Sequence, residues 1–181
     1  SALGADMFPP GLDLGRLAES QEAEHGLPKG CLTEPLKPLL SPEFEPLGER
    51  SRLAVIAATQ TASAAEIFDA LLSWAGGGRG TADSLTSNRA IETLCAFLPE
   101  EATSILDPAC GFGGLLLTAA ESVGAARLAG YEVNRLAWAL CVQRLLLHGR
   151  SVAEVYSEDA LAATPTGFEV VVAHPPFGMR I

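Results

Sequence analysis

The sequence lacks the features that mark several classes of protein. It has no run of about 18 apolar residues, so no membrane-spanning helix is expected. It begins Ser1-Ala2-Leu3, with neither an initiator Met nor the basic and then apolar pattern of a signal peptide, which indicates either an artificial start left by cloning or a cut fragment. A length of 181 residues, 48% of them hydrophobic, predicts one domain with its own core and room for an appended arm.

Cysteine pairs at metal-binding spacing are also missing. The four cysteines are Cys31, Cys95, Cys110 and Cys141, and no two of them form a CxxC motif. Each lies in or beside apolar sequence, so we expect buried, reduced thiols in a cytoplasmic protein, with no metal site.

Positive charge is scarce. Lys and Arg number 12 against 22 Asp and Glu, and the net charge of −10 is divided evenly, −5 for residues 1–50 and −5 for residues 51–181. Nucleic-acid binding normally depends on a basic surface that contacts phosphates. If DNA is a partner, a missing segment or a partner subunit must therefore hold most of it.

Proline divides the chain into two regions. Residues 1–50 contain 7 of the 12 prolines, which predicts an irregular N-terminal arm with one short helix at residues 14–23. Residues 51–181 begin with a helical lead-in, with apolar residues at helical spacing over residues 52–74 and again around residues 91–98.

The remainder of the chain alternates between strand and helix patterns. Strands are predicted at residues 104–106, 127–133, 152–156 and 168–173, and helices at residues 114–123 and 135–148. This order predicts an α/β fold with a parallel doubly wound sheet. Val170-Val171-Val172 is typical of a strand buried on both faces, and Gly149 suits a left-handed helix C-cap.

The turn after the first strand reads Asp107-Pro108-Ala109-Cys110-Gly111-Phe112-Gly113-Gly114. Glycines at such a turn let the backbone approach a ligand closely, although Leu116 occupies the third glycine position of a dinucleotide fingerprint. The turn resembles motif I of the amino-methyltransferases. The resemblance implies a Rossmann-like core that binds S-adenosyl-L-methionine, with the turn around Ala109, Gly111 and Gly113 at its methionine end and Asp107 near its ammonium group.

Two acidic residues follow the next two strands. Glu132 comes 25 positions after Asp107, and a carboxylate there can accept hydrogen bonds from both ribose hydroxyls. The resemblance implies that Asp159 accepts from the adenine amino group of the cofactor. Glu158 competes for that role, and an ordinary surface acid is the alternative.

His174-Pro175-Pro176-Phe177 follows the most apolar strand and resembles the Asn/Asp-Pro-Pro-Tyr/Phe motif of enzymes that methylate exocyclic or amide nitrogens. Such an amine attacks poorly because its lone pair is delocalised. Hydrogen-bond acceptors on its two hydrogens, a side chain and the carbonyl of the first Pro, localise that lone pair and aim it at the methyl group. The aromatic residue stacks on a base turned out of its helix.

His174 departs from the Asn or Asp of that motif. A neutral imidazole offers one acceptor nitrogen and an imidazolium offers none. A cationic cofactor nearby favours the neutral form. His174 is therefore either the acceptor or a space-filling residue of an inactive or redirected site.

Thr86-Ser87-Asn88-Arg89 precedes an apolar helix and resembles the Thr-Pro motif that lies before motif I in the γ-ordered adenine-N6 DNA methyltransferases, such as type I modification subunits. The resemblance covers residues 66–181 and implies that Thr86 lies by the cofactor carboxylate. We expect the cofactor-binding half of such a restriction-modification enzyme. An RNA or protein-amide N-methyltransferase, and a catalytically inactive cofactor-binding or structural module, remain alternatives.

The chain ends 7 residues after His174. The fold it resembles continues with further strands, so the core is expected to be incomplete on its C-terminal side. The strand at residues 168–173 then forms an open apolar edge, which soluble proteins usually cover. Self-association through this edge is a further expectation.

Overall fold

The computed structural model describes residues 13–36, 62–76, 86–163 and 165–175. Its helices are α1 Leu14–Glu24, α2 Thr33–Leu36, α3 Ala64–Gly76, α4 Asn88–Cys95, α5 Gly114–Val123, α6 Arg135–Leu147 and α7 Ala160–Ala163. Its strands are β1 Ser104–Asp107, β2 Arg127–Tyr131, β3 Val155–Tyr156 and β4 Val170–Val171.

The described strands form one parallel sheet in the order β3-β2-β1-β4. The predicted α/β fold with a parallel sheet is therefore confirmed. Successive strands progress from β1 to β3 in one direction, and β4 then pairs on the other side of β1. The sheet order reverses between β1 and β4, which is the place where open α/β sheets bind ligands, at the carboxyl ends of the strands.

Side chains alternate between the two faces of the sheet. Ile105, Leu128 and Val155 belong to the larger hydrophobic cluster, which also contains the buried residues of α5 and most of those of α6. Leu106, Ala129 and Tyr131 form a second cluster, joined by partly buried Ala160, Ala163 and Phe168. Right-handed crossovers explain this division. The β1–β2 and β2–β3 connections move along the sheet in one direction and put their helices on one face, whereas the β3–β4 connection moves in the opposite direction and therefore lies on the other face.

The predicted burial of β4 on both faces is wrong. Val172 is 6% exposed, but Val171 is 61% exposed. β4 is the outermost of the described strands on its side, and a run of valines has the same appearance at an edge as in the centre of a sheet. The open edge expected for this strand is present among the described residues.

The N-terminal residues 13–36 pack on α6. Gln143 Nε2 donates to the Cys31 carbonyl at 2.7 Å, and Arg135 Nε lies 3.1 Å from Glu34 Oε1. Cys31 is fully buried in the larger cluster. The domain boundary predicted at residues 50 and 51 lies outside the described residues and stays a prediction.

α6 ends as expected at its C-terminal glycine. Gly149 has φ +69°, its N–H donates to Leu146 O at 2.9 Å, and Arg150 N–H donates to Leu145 O at 2.8 Å. A left-handed glycine thus satisfies the last carbonyl groups of the helix. In the described ranges, no helix is long and apolar enough to cross a membrane.

Candidate functional site

Asp107 ends β1 beneath the glycine-rich turn. Its side chain is 1% exposed, and Oδ1 accepts a hydrogen bond from the Ala109 N–H at 3.0 Å. Burial, with a smaller contribution from the nearby Glu132 carboxylate, raises the pKa of Asp107 to about 7, although the Ala109 N–H favours the charged form. Without a cationic partner, burial therefore favours the protonated form of this carboxyl group.

Gly111 and Gly113 bend the turn through left-handed backbone conformations, with φ of +53° and +77°. A Cβ on Gly113 would lie 2.7 Å from Cys141 Sγ, closer than atoms can pack. The turn is closed by Gly113 N–H donating to Cys110 O at 2.7 Å. Glycine at position 113 thus lets α5 begin directly against α6.

Glu132 connects the turns that follow β1 and β2. Its Oε2 accepts from the Gly111 N–H at 3.0 Å, and its Oε1 accepts from the Asn134 N–H at 2.7 Å. Each carboxylate oxygen has a second lone pair, so the half-buried side chain can still accept two further hydrogen bonds. Such a carboxylate suits a ligand with two neighbouring hydroxyl groups.

Asp159 lies beyond Glu132 at the same edge of the sheet, after β3. Its side chain is exposed, and Oδ1 accepts from the Leu161 N–H at 2.9 Å at the start of α7. Oδ2 makes no hydrogen bond with a described residue, so it can still accept one. Glu158 is exposed as well, and the choice between these two acids stays a prediction.

His174 follows β4 and lies beside Thr86, which precedes α4. The Thr86 hydroxyl oxygen is 3.5 Å from His174 Nδ1, and both side chains are half-buried. Pro175 is exposed, whereas Pro176 and Phe177 lie outside the described residues. The predicted catalytic histidine and the predicted cofactor-binding threonine thus belong to one cluster.

The sheet brings these groups to one edge. Val172 N–H donates to Leu106 O at 2.9 Å, so Asp107, which ends β1, and His174, which follows β4, lie at the ends of paired strands on the two sides of the reversal in sheet order. No role was predicted for Asn134 from the sequence. Its Oδ1 accepts from Leu136 N–H at 3.0 Å, capping α6, while its backbone N–H donates to Glu132. An Asn directly before a helical pattern is a recognised capping signal.

The four cysteines are free in the structure; Cys31, Cys110 and Cys141 are buried, as predicted, whereas Cys95 is half-buried. Contact with the Cys141 thiol and burial raise the pKa of Cys110 well above its ordinary value, so it stays protonated. Among the residues with described positions, no group of His, Cys, Asp and Glu side chains is arranged to hold a metal ion.

Parts of this chain are similar to known proteins. Ribosomal RNA small subunit methyltransferase C of Shewanella oneidensis is 33% identical over 86 residues, which cover 48% of this chain and 25% of that protein. A modification subunit of a putative type I restriction enzyme from Vibrio vulnificus aligns with a TM-score of 0.50 and 24% identity, over 64% of this chain and 28% of its own. A type I restriction-modification system methyltransferase subunit from Streptococcus thermophilus aligns with a TM-score of 0.45 and 22% identity. That alignment covers 52% of this chain and 23% of the Streptococcus chain.

This chain spans about a quarter of the length of each of these proteins. The alignment with the Vibrio subunit supports the same fold. The family model described as N-6 DNA Methylase matches residues 76–180, which is more than half of the sequence. The chain belongs to the N-6 DNA methylase family.

Proposed function

We propose that this chain is the cofactor-binding part of an S-adenosyl-L-methionine-dependent methyltransferase that acts on the N6 amino group of adenine in DNA. The observation that carries the proposal is the position of Glu132, which joins the turns after β1 and β2 and keeps two acceptor sites open. Family membership supports the reaction class. A cytoplasmic location belongs to the same proposal.

The residues at the turn fit this cofactor chemically. The cofactor supplies a methyl group on a positively charged sulfur, next to an ammonium group and a ribose. In the described part of the chain, Asp107 and Glu132 are hydrogen-bonded by backbone N–H groups and not by Lys or Arg. The charge of Glu132 is therefore available to a cationic ligand, and such a ligand would also favour the ionised form of Asp107. Asp159 Oδ2 extends the row of acceptors toward the position expected for adenine.

His174 suits the acceptor role in one of its two tautomers. If Nδ1 carries the proton and donates to the Thr86 hydroxyl, 3.5 Å away, then the acceptor lone pair of the ring lies on Nε2. The opposite tautomer would present a donor to the amine and obstruct the reaction. In this proposal Thr86 is a positioning residue that selects the productive tautomer.

RNA is the second candidate substrate, because the curated relative from Shewanella oneidensis is by its name a ribosomal RNA methyltransferase. Either nucleic acid needs additional binding surface. The net charge of −10 opposes binding to a polyanion. We therefore propose that another segment or a partner subunit, as in a restriction-modification assembly, provides most of the contacts with the nucleic acid.

Calorimetry and thermal unfolding with S-adenosyl-L-methionine and S-adenosylhomocysteine test the cofactor site. Both ligands should bind and raise Tm by mass action. Glu132→Ala should weaken binding by about tenfold or more, because two ribose hydroxyls lose a buried acceptor. Glu101→Ala, an exposed carboxylate before β1 at the opposite edge of the sheet, is the matched control.

No Tm shift of the wild-type chain at saturating ligand would contradict the cofactor proposal. Equal binding by the Glu132→Ala and Glu101→Ala variants would instead remove Glu132 from the site. The Tm of each variant without ligand separates loss of binding from loss of folding, since Glu132 also accepts the N–H groups of Gly111 and Asn134.

A further inference from the structure

An open cavity of about 400 Å³ lies beside His174, on the exposed side of α4. The residues that line it come from α4, its N-cap and the loop after β4: Ser87, Arg89, Ala90, Thr93, Leu94 and His174. The glycine-rich turn and Glu132 contribute nothing to its lining. The cavity therefore adjoins the proposed acceptor without including residues of the cofactor turn.

Arg89 is the positive charge among the residues that line this cavity, and no described carboxylate forms an ion pair with it. The other described arginines are engaged by carboxylates or, for Arg150, by a carbonyl at 3.4 Å. In the described ranges the Arg89 side chain forms neither an ion pair nor a hydrogen bond. In a chain of net charge −10, an uncompensated guanidinium beside the reactive histidine is suited to an anion.

The hydroxyl groups at the cavity have different capacities. Thr93 Oγ1 donates its proton to Arg89 O at 2.7 Å, so this hydroxyl can only accept from a ligand. Ser87 Oγ accepts from the Ala90 N–H at 3.3 Å, so its own proton is free to donate. Ser87 and Arg89 together offer donors to an oxyanion, while Ala90 and Leu94 provide an apolar floor.

We propose that this cavity holds a nucleotide of the substrate strand next to the target base, with its phosphate on Arg89 and Ser87 and its sugar or ring on Ala90 and Leu94. The inference rests on the proposed function. The volume fits a nucleotide, whereas one carboxylate of the cofactor would leave most of it empty. Phosphate contacts of this kind fix the position of a strand without reading its sequence.

Titration of ¹⁵N-labelled protein with adenosine 5′-monophosphate, followed by NMR, tests the cavity. The amides of Ser87, Arg89 and Thr93 should shift with the monophosphate and much less with adenosine. Saturation with S-adenosylhomocysteine should leave these shifts in place. Arg89→Gln should weaken monophosphate binding by about fivefold or more, because a charge-assisted hydrogen bond is lost.

Arg150→Gln is the control, because it removes the same positive charge as Arg89→Gln. Arg150 follows the C-terminal end of α6, at the opposite edge of the sheet from His174. Its substitution should leave monophosphate binding unchanged. Equal loss in the Arg89 and Arg150 variants would show a general charge effect and overturn the proposal, as would the absence of monophosphate binding to the wild-type chain.

Two further results would assign the cavity to the cofactor and overturn the proposal. In one, S-adenosylhomocysteine displaces the monophosphate. In the other, Arg89→Gln weakens S-adenosylhomocysteine binding but not that of 5′-methylthioadenosine, which lacks the amino-acid carboxylate. Failure of the wild-type chain to bind S-adenosylhomocysteine would count against the cofactor site alone, since the monophosphate titration is read separately.

Discussion

Two independent constraints fall on Gly113. Its φ of +77° is costly for a residue with a side chain, and a Cβ there would meet Cys141 Sγ at 2.7 Å. Gly113→Ala should therefore destabilise the fold by roughly 2–4 kcal/mol, the sum of a left-handed conformation and overpacking. Gly124→Ala, with φ +70° and no atom within 4 Å of its Cβ, should cost only about 1–2 kcal/mol. Denaturant unfolding measures both.

Cys141→Ala distinguishes the two costs at Gly113. This substitution removes the sulfur that a new Cβ would meet, so the double variant should recover part of the stability lost in Gly113→Ala. If Gly113→Ala and Gly124→Ala cost the same, backbone conformation alone explains the glycine and the contact with α6 contributes nothing.

Asp107 makes stability depend on pH in the direction opposite to that of most carboxylates. Burial raises its pKa from 3.8 to about 7. Between these values the unfolded chain has released a proton that the folded chain keeps. The free energy of unfolding should therefore fall as pH rises from about 4 to about 7, by an upper bound of roughly 4 kcal/mol, and stay level above that.

Asp107→Asn isolates this effect, because the amide oxygen can still accept from the Ala109 N–H but does not titrate. Urea unfolding at several pH values should show the variant gaining stability relative to wild type as pH rises through this window. A difference that does not vary with pH would mean that Asp107 is not protonated in the folded state.

At the scale of elements, Glu22 organises the N-terminal helices. Its buried carboxylate accepts from the N–H groups of Gly30, Leu32 and Thr33 at 2.8–3.0 Å. Burial opposes ionisation, but these hydrogen bonds prevail and lower the pKa of Glu22. Its contribution should be present above about pH 4.5 and disappear as pH falls through its lowered pKa.

Glu22→Gln should cost about 1–3 kcal/mol at neutral pH, because an amide has one acceptor oxygen where the carboxylate has two. Hydrogen exchange at the amides of Gly30, Leu32 and Thr33 measures the loss locally. Glu24→Gln, on the exposed side of the same helix, is the control. Unchanged protection in Glu22→Gln would refute a role for this carboxylate in holding residues 22–33 together.

Elements with strong periodicity were predictable, and short ones were not. The helix predicted at residues 114–123 has those bounds in the structure, because Gly113 and Gly124 cap its two ends. α2 and α7 have four residues each, too few to show a helical period. The strand predicted at residues 152–156 is reduced to β3, because only its last two residues pair with β2.

The candidate site was predictable where one segment carries the signal. Asp107 ends one strand and Glu132 follows the next in a recognisable pattern, and a parallel sheet necessarily brings them to one edge. The contact between Thr86 and His174 joins residues 88 positions apart. The cavity beside Arg89 depends on how α4 packs against the rest of the chain, and a local sequence pattern does not predict that packing.

At the scale of the whole molecule, the open edge of β4 has consequences for association. Val171 is 61% exposed on the outermost of the described strands on that side. Unpaired strand edges with apolar side chains attract other strands. We therefore expect concentration-dependent self-association of this chain, which sedimentation velocity measures across a concentration series. Val171→Lys should weaken it, because a charge on an edge strand opposes pairing.

Leu161→Lys is the control for that experiment, since Leu161 is 72% exposed on α7, which follows β3, the strand at the other side of the sheet from β4. A folded Val171→Lys protein that associates like wild type would place the interface elsewhere. A wild-type chain that stays monomeric up to hundreds of micromolar would show that the edge of β4 does not mediate association in solution. Equal weakening by both lysine variants would indicate general charge repulsion, because each adds one positive charge to a chain of net charge −10. Only weakening specific to Val171 assigns the contact to β4.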